Sequence, residues 1–486
     1  MLKKTIAFSS ILVVLSLVLI GITQWIPLMV NDVVTKNYDI ENAEGNTIRL
    51  SVYEQGAHLV VLAHGFSSEK QSLVWVRNHL LNAGYSVAMF DFSGHGGSQG
   101  QVNFDNAQTE RLSYDLETVV NWLISSGYET SKMQLFGHSM GGRAILQYAS
   151  RSDTTFEQLY LVGPEVNLIP NLQASFFTGA NDLSMPFAKR LSGSSPKSPI
   201  TIVASTWDDI HTIEASKALY SRLTEGEVTY SRELVQVNGI IHKYEIHSNT
   251  VLKVITNETN PLFMVWYVIL LGILFLPMVW YRLIRAKNPV IRQKERFKKQ
   301  VLYWVLALVF AVILLGFTMI SPFRKPYFSM QFVVLIGGFG IAYWIFNPKR
   351  FKACLNQPIK NKIATSITFL SLLFAQYAVK FTAIQSFQFN PDFVFWSVVL
   401  VMLSSIGFLA IQQQANNLMK YFPFYMFFAL YLILGSLSGI ITTAEGILFL
   451  IYSIYGAKVV FTYSHNEGLA ALLMGLMLGI PFGAFF

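Results

Sequence analysis

Gly137-His138-Ser139-Met140-Gly141 is preceded by the short strand-forming run Lys132-Met133-Gln134-Leu135-Phe136. It is followed by Gly142-Arg143-Ala144-Ile145-Leu146-Gln147-Tyr148-Ala149, a run of helix formers. Strand, Gly-x-Ser-x-Gly and helix in that order describe a turn so tight that the residues two places either side of the serine must lack side chains. The turn lifts the Ser139 hydroxyl out of a sheet and sets it at the N-terminus of the helix. Alone, the five-residue pattern is weak. Here it is joined by other groups in an order that makes use of it.

A serine hydroxyl that attacks an acyl carbon needs a base, an acid to orient that base, and N–H donors for the developing oxyanion. Leu59-Val60-Val61-Leu62-Ala63 reads as a buried strand running into His64-Gly65-Phe66. The backbone N–H groups of Phe66 and Met140 are therefore the expected oxyanion donors, with Gly65 allowing a close approach. His64 precedes the elbow and is expected to pack the loop. Pro199-Ile200-Thr201-Ile202-Val203-Ala204 is a later strand ending at Ser205-Thr206-Trp207-Asp208-Asp209. Asp208 fits the strand-end spacing better than Asp209, whose alternative is a turn residue or a cap for the helical run near Thr212. Leu234-Val235-Gln236-Val237 is a last short strand, and Gly239-Ile240-Ile241-His242 puts a histidine on the loop after it. His247, in the amphipathic run Tyr244 to Ile255, is expected at the surface, and His211, beside the acid, is expected to be structural.

The chain order Ser139, Asp208, His242 is that of the α/β-hydrolase triad. From about Asn46 to Asn257 the sequence resembles α/β hydrolases of the monoacylglycerol lipase, cinnamoyl esterase and serine aminopeptidase kind. The resemblance lies in the His-Gly-Phe loop, Asp91-Phe92-Ser93-Gly94-His95-Gly96-Gly97-Ser98, Gly-His-Ser-Met-Gly-Gly and the Asp and Gly-x-x-His positions. It implies a mostly parallel sheet with helices on both faces, and serine chemistry without metal or organic cofactor. It does not imply a substrate. The sequence departs from the resembled lipases in its cap, for which only about 167–198 is available. That stretch holds Ala174-Ser175-Phe176-Phe177 and Met185-Pro186-Phe187-Ala188. It reads as a small apolar lid with Phe176 and Phe177 at the substrate, a membrane-touching flap, or a packed loop.

The chain is too long and too apolar for one soluble domain, at 486 residues with 52% hydrophobic content. Its charges are also segregated. Residues 31–260 hold 16 basic and 24 acidic residues, and the remainder holds 20 and 4. The overall net charge of +8 is thus no sign of nucleic-acid binding. No aromatic-interleaved basic surface, zinc spacing or phosphate-cradling glycine loop suggests it either.

Ile6 to Ile26 is apolar over a membrane-spanning length and follows Lys3 and Lys4. With no clear small-x-small cleavage site, residues 1–30 read as an uncleaved signal anchor, the alternative being a cleaved signal peptide. The hydrolase-like domain then occupies 31–260, and 261–486 reads as an all-α polytopic membrane domain. Its apolar runs fall at about 261–281, 301–320, 327–346, 363–384, 393–412, 422–441, 445–463 and 468–486. Basic loops resist translocation. Lys3 and Lys4 place the N-terminus inside. The loop with Arg282, Arg285, Lys287, Arg292, Lys294, Arg296, Lys298 and Lys299, against Glu295, falls inside as well. So does the group Lys349, Arg350, Lys352, Lys360 and Lys362, whereas Arg324 and Lys325 fall outside. This arrangement makes the Ser139 domain extracytoplasmic. The single cysteine, Cys354, cannot form an intrachain disulfide and is expected to be inert. Lys380, Lys458 and Glu445 are the charged residues in or near spans. The lysines are expected to snorkel from span ends and Glu445 to border a loop.

These readings converge on a serine hydrolase for acyl esters at a membrane surface, its partners the bilayer and a lipid-like or amphipathic ester. An acyltransferase or aminopeptidase would use the same triad. A transport or scaffold protein carrying a sensing domain is the alternative of another class.

Overall fold

In a computed structural model the described residues are 2–66, 68–100, 106–165, 196–208, 210–226, 228–240, 242–258, 262–284, 299, 301–307, 309–310, 313, 329–383, 391–413 and 437–483. The chain separates into two compact units. One comprises Met1–Leu19, Trp266–Phe381 and Phe387–Phe486, and the other Ile20–Val265 with Thr382–Ser386.

The second unit is built on eight strands: β1 (Val34–Glu41), β2 (Thr47–Glu54), β3 (Leu59–Ala63), β4 (Ser86–Phe90), β5 (Met133–His138), β6 (Gln158–Val162), β7 (Ile200–Ser205) and β8 (Arg232–Val237). Their order across the sheet is β1-β2-β4-β3-β5-β6-β7-β8. β1–β2 and β2–β4 pair antiparallel, and every pair from β4 to β8 is parallel. Central parallel strands are covered on both faces, so they read as unbroken apolar runs. Side chains still alternate between faces. Leu59, Val61 and Ala63 of β3 join Met133 and Leu135 of β5 in one core, whereas Val60, Leu62 and Phe136 join another on the opposite face.

Helices α3 (Asn106–Ser125), α4 (Met140–Arg151) and α5 (Ile213–Leu223) cover the first face through Leu116, Val120, Ile145, Tyr148 and Leu219. Helices α2 (Val74–Asn82) and α6 (Asn249–Thr256) cover the other through Val76, Leu80, Val251 and Leu252. The run Tyr244 to Ile255 is not one helix. A 3₁₀ turn, His242–His247, ends before Ser248, whose hydroxyl accepts from the Thr250 N–H at the start of α6.

The strand order reverses between β3 and β5, the place where open α/β sheets bind ligands beyond the carboxyl ends of their strands. Phe66 follows β3 and Ser139 follows β5, so both flank that crevice.

The N-terminal helix α1 (Leu2–Ile20) continues through a π-helical turn, Gly21–Trp25, into a short helix, Ile26–Val30. Pro27 has no N–H to give the Thr23 carbonyl. That carbonyl instead accepts from Arg77 Nη2 at 3.1 Å and Asn78 Nδ2 at 2.9 Å. The boundary between the two compact units falls after Leu19, within the stretch 1–30.

The first unit is helical: α7 (Leu262–Ile284), α8 (Ser329–Ile345), α9 (Pro348–Leu355), α10 (Lys362–Ala383), α11 (Pro391–Gln412), α12 (Leu437–Ser464) and α13 (Glu467–Gly483). Glycines permit close helix contacts. A Cβ on Gly340 would lie 2.7 Å from Gly407 Cα, and one on Gly475 would lie 2.7 Å from the Val401 carbonyl oxygen. The helix α12 runs unbroken past Glu445, so the expected loop there does not exist. A polar knot joins the loop ends: Glu467 Oε2 accepts from Gln413 Nε2 at 2.9 Å and from the Cys354 thiol at 3.2 Å. Lys458 Nζ lies 4.6 Å from the Tyr455 ring centroid and 5.4 Å from that of Tyr281. Among the described residues, two helices are long and apolar enough to cross a membrane, Leu2–Met29 and Lys362–Val379. The apolar helices Val268–Ile284, Ile336–Ile345, Ser397–Ile411 and Glu467–Met477 are shorter. Half of the expected span at 301–320 and most of that at 422–441 lie outside the described residues.

Candidate active site

Ser139 has φ 55° and ψ −117°, in the left-handed half of backbone space that side chains disfavour. The neighbouring glycines make this possible. A Cβ on Gly137 would meet the Gly142 nitrogen at 2.5 Å, and one on Gly141 would meet the Ala63 carbonyl oxygen at 2.2 Å. The elbow is clamped from behind. The Ser139 carbonyl accepts from Arg143 N at 3.2 Å and from Glu165 N at 3.1 Å, and Arg143 Nη1 pairs with Glu165 Oε1 at 2.8 Å.

The loop after β3 lies against the serine, since a Cβ on Gly65 would be 3.4 Å from Ser139 Cβ. His64 braces this loop. Its Nδ1 donates to the Gly65 carbonyl at 2.8 Å and its Nε2 accepts from Phe92 N at 3.1 Å, which fixes the tautomer. Burial pushes its pKa down to about 4, so it is neutral and packs the loop. Asp91 holds the adjacent turn by accepting from Lys70 N at 2.7 Å and Gly97 N at 3.0 Å. A Cβ on Gly96 would strike its carboxylate at 2.3 Å, which accounts for glycine there. Met140, whose N–H was the other expected oxyanion donor, is buried as the first residue of α4.

Asp208 and His242 come together: His242 Nδ1 is 2.9 Å from Asp208 Oδ2, and both are buried. Asp208 Oδ1 accepts from Ile210 N at 2.9 Å and His211 N at 2.7 Å. Burial alone would raise the Asp208 pKa, but the charge and hydrogen bond of His242 outweigh it and the carboxyl is held below its ordinary range. Asp209, Phe176 and Phe177 lie outside the described residues. His247 is half-buried in the 3₁₀ turn rather than on a surface helix.

His138, His242 and Glu245 present donor atoms within 4.8 Å of one another, all buried. Such a set has the residue types of a metal site, but its nitrogens are engaged otherwise. His242 Nδ1 faces Asp208, while His138 Nε2 donates to the His242 carbonyl at 3.2 Å and lies 3.4 Å from Glu245 Oε2. An imidazole nitrogen that donates a proton has no lone pair for a cation. The stacked rings of His138 and His242, with centroids 4.7 Å apart, instead hold the His242 loop against the elbow.

One residue set aside by the sequence reading lies at the nucleophile. Ser139 Oγ is 3.4 Å from His211 Nε2, and the His211 ring meets His242 edge-on, with centroids 4.8 Å apart. Spacing alone does not reveal it. The carboxylate that accepts from its own third-next N–H bends the chain back, and this turn aims His211 at Ser139.

The strand order, the antiparallel β2 and the elbow after β5 are those of an α/β hydrolase. Residues 54–214 match the family model for serine aminopeptidases of the S33 kind. A monoacylglycerol lipase of Mycolicibacterium smegmatis is 31% identical over 109 residues, 22% of this chain and 38% of the relative. The chain thus matches less than two fifths of that relative's length. Similar solved structures include the esterase Pf2001 of Pyrococcus furiosus, at 17% identity over 47% of this chain and 93% of that one, with a TM-score of 0.38. Another is the α/β hydrolase GrgF of a Penicillium species, at 16% identity over 46% and 100% of the two chains, with a TM-score of 0.36.

Proposed function

We propose that the protein is a serine hydrolase of acyl esters, working from the outer face of a cytoplasmic membrane. The observation that carries the chemistry is a strained elbow serine and a buried Asp208–His242 couple, each following the carboxyl end of a parallel strand of one sheet. Ser139 Oγ attacks the acyl carbonyl and His242 takes its proton, then delivers it to the leaving alcohol. Asp208 orients the imidazole and stabilises its charged form. The N–H groups of Phe66 and Met140 receive the oxyanion. Water then releases the acyl group. Hydrogen bonds between nucleophile and base commonly tighten only once substrate is bound.

A lipid-like or amphipathic ester is supported by the likeness to a protein named monoacylglycerol lipase and by the apolar helices of the other unit. Membrane helices associate through small residues that let backbones approach, and the Gly340–Gly407 contact is of that kind. The extracytoplasmic placement rests on the basic loops 282–299 and 349–362. The likeness to serine aminopeptidases supports a second reading, peptide cleavage by the same triad.

The test uses the full chain purified in detergent with p-nitrophenyl and monoacylglycerol esters, amino-acid p-nitroanilides, and the Ser139→Ala variant. Ester turnover that falls by about 10⁴-fold or more in the variant is the expected result. Ester turnover equal in wild type and variant rules out the mechanism, and cleavage of the anilides alone selects the aminopeptidase.

A further inference from the structure

The conventional triad leaves His211 without a role, yet its ring contacts the reacting oxygen. The imidazole is buried, with its Nε2 3.4 Å from Ser139 Oγ, and its Nδ1 is a buried atom with no hydrogen-bond partner among the described residues. A neutral imidazole carries one proton on one of these nitrogens. Leaving an acceptor unsatisfied inside a protein is better tolerated than leaving an N–H unsatisfied. The proton therefore belongs on Nε2, and His211 donates to Ser139 Oγ. This leaves the serine's own proton available to His242.

His211 is not a rival base. Burial and the neighbouring charge of His242 push its pKa down to about 3, so its ring neither holds nor accepts a second proton near neutrality. Its position is fixed by the carboxylate that orients His242, because Asp208 Oδ1 accepts from the His211 backbone N–H at 2.7 Å. In the sheet, β3 and its Phe66 loop lie on one side of β5, and β7 and β8, which precede His211 and His242, lie on the other. The donor thus approaches Oγ from the side opposite the expected oxyanion hole.

We propose that His211 is a catalytic hydrogen-bond donor to Ser139 Oγ, acting when that oxygen is expelled from the acyl-enzyme. The proposal rests on the serine-hydrolase reading. In the free enzyme the donor already contacts the hydroxyl, so part of its stabilisation is present before attack and acylation gains less from it than deacylation does. In the acyl-enzyme Oγ is an ester oxygen and a poor acceptor. Water adds to the acyl carbon as His242 takes one of its protons. The tetrahedral intermediate then collapses: the C–Oγ bond breaks, its electron pair passes to Oγ, and the His242 imidazolium returns the proton there. The negative charge gathering on Oγ is met by the His211 N–H, which keeps its own proton. The interaction is gained on expulsion and so accelerates deacylation.

The experiment is stopped-flow release of p-nitrophenol from p-nitrophenyl butyrate by the full chain in detergent micelles, comparing wild type with His211→Ala, His211→Leu and His211→Gln. Leu fills the buried space without a donor, and Gln restores a side-chain N–H. Fluorophosphonate labelling of each variant certifies an intact elbow. The expected result is a kcat lower by about 10- to 100-fold in the Ala and Leu variants. It comes with a stoichiometric burst, a loss in kcat/KM clearly smaller than that in kcat, and recovery of most of kcat in Gln. Equal losses in kcat and kcat/KM without a burst, or unchanged kinetics in labelled variants, would overturn the role of His211 alone. A wild type that neither labels nor turns over would remove the serine-hydrolase reading and this inference with it.

Discussion

At the scale of single residues, Asp208 separates two adjacent carboxylates that the sequence leaves in competition. The Asp208 carboxylate touches His242 Nδ1, so Asp208→Asn would present a donor to a donor and disfavour the useful tautomer. We expect kcat to fall by roughly 10⁴-fold with the fold intact, and Asp209→Asn to stay near wild type in the same assay. His64 makes a different prediction, about stability. Its pKa lies near 4 in the folded unit against 6.5 ordinarily, so between these values the unfolded chain binds a proton that the folded one refuses. Stability therefore rises with pH through that window and is lost as pH falls through it. His138 and His211, both depressed by burial, add to the same slope. Thermal unfolding of the wild type across this range should lose midpoint steadily toward acid, and His64→Asn should flatten the loss. A flat wild-type profile would contradict the burial of neutral histidines. Ser139, Asp208 and His242 were legible because each follows an apolar strand at a fixed distance. His211 was not, because the turn that aims it depends on hydrogen bonds to Asp208 rather than on spacing.

At the scale of elements, the elbow is a steric argument. Gly141 sits where a methyl group would overlap the end of β3, 2.2 Å from the Ala63 carbonyl oxygen. Backbone cannot retreat as a flexible side chain can. Gly141→Ala should destabilise the unit by about 3 kcal/mol or more, measured by denaturant unfolding, and lose fluorophosphonate labelling. The parallel strands could be read directly, since Leu59–Ala63 and Ile200–Ser205 are buried on both faces and admit no polar alternation. The edge strand β1 could not. Six of its eight residues are exposed, so its sequence carries no apolar pattern. The broken run at Ser248 shows the same limit, because amphipathic spacing persists across a capped junction. In the helical unit, the Cys354 thiol is buried and donates to Glu467, and burial pushes its pKa to about 12. A thiol that stays protonated is a poor nucleophile. Maleimide should leave the native chain unlabelled and label it after denaturation. Rapid labelling of the native chain would contradict the burial.

At the scale of the whole molecule, composition divides the chain more sharply than any motif. The acidic stretch 31–260 carries the sheet, and the basic, apolar remainder carries the helices. The same division explains why a function can be proposed from one half alone: the proposed triad has directional chemistry, whereas apolar helices share one composition whatever they do. If the helices span a bilayer, alkaline carbonate should leave the full chain in the membrane pellet. Release into the supernatant would contradict the membrane reading while leaving the triad untouched. An activated serine and its place outside the cell membrane can be tested together. Intact cells are treated with a fluorescent fluorophosphonate that cannot cross membranes, wild type beside Ser139→Ala. Labelling of the wild type alone is the predicted result; label that appears only after the cells are broken, or in both chains equally, would contradict it.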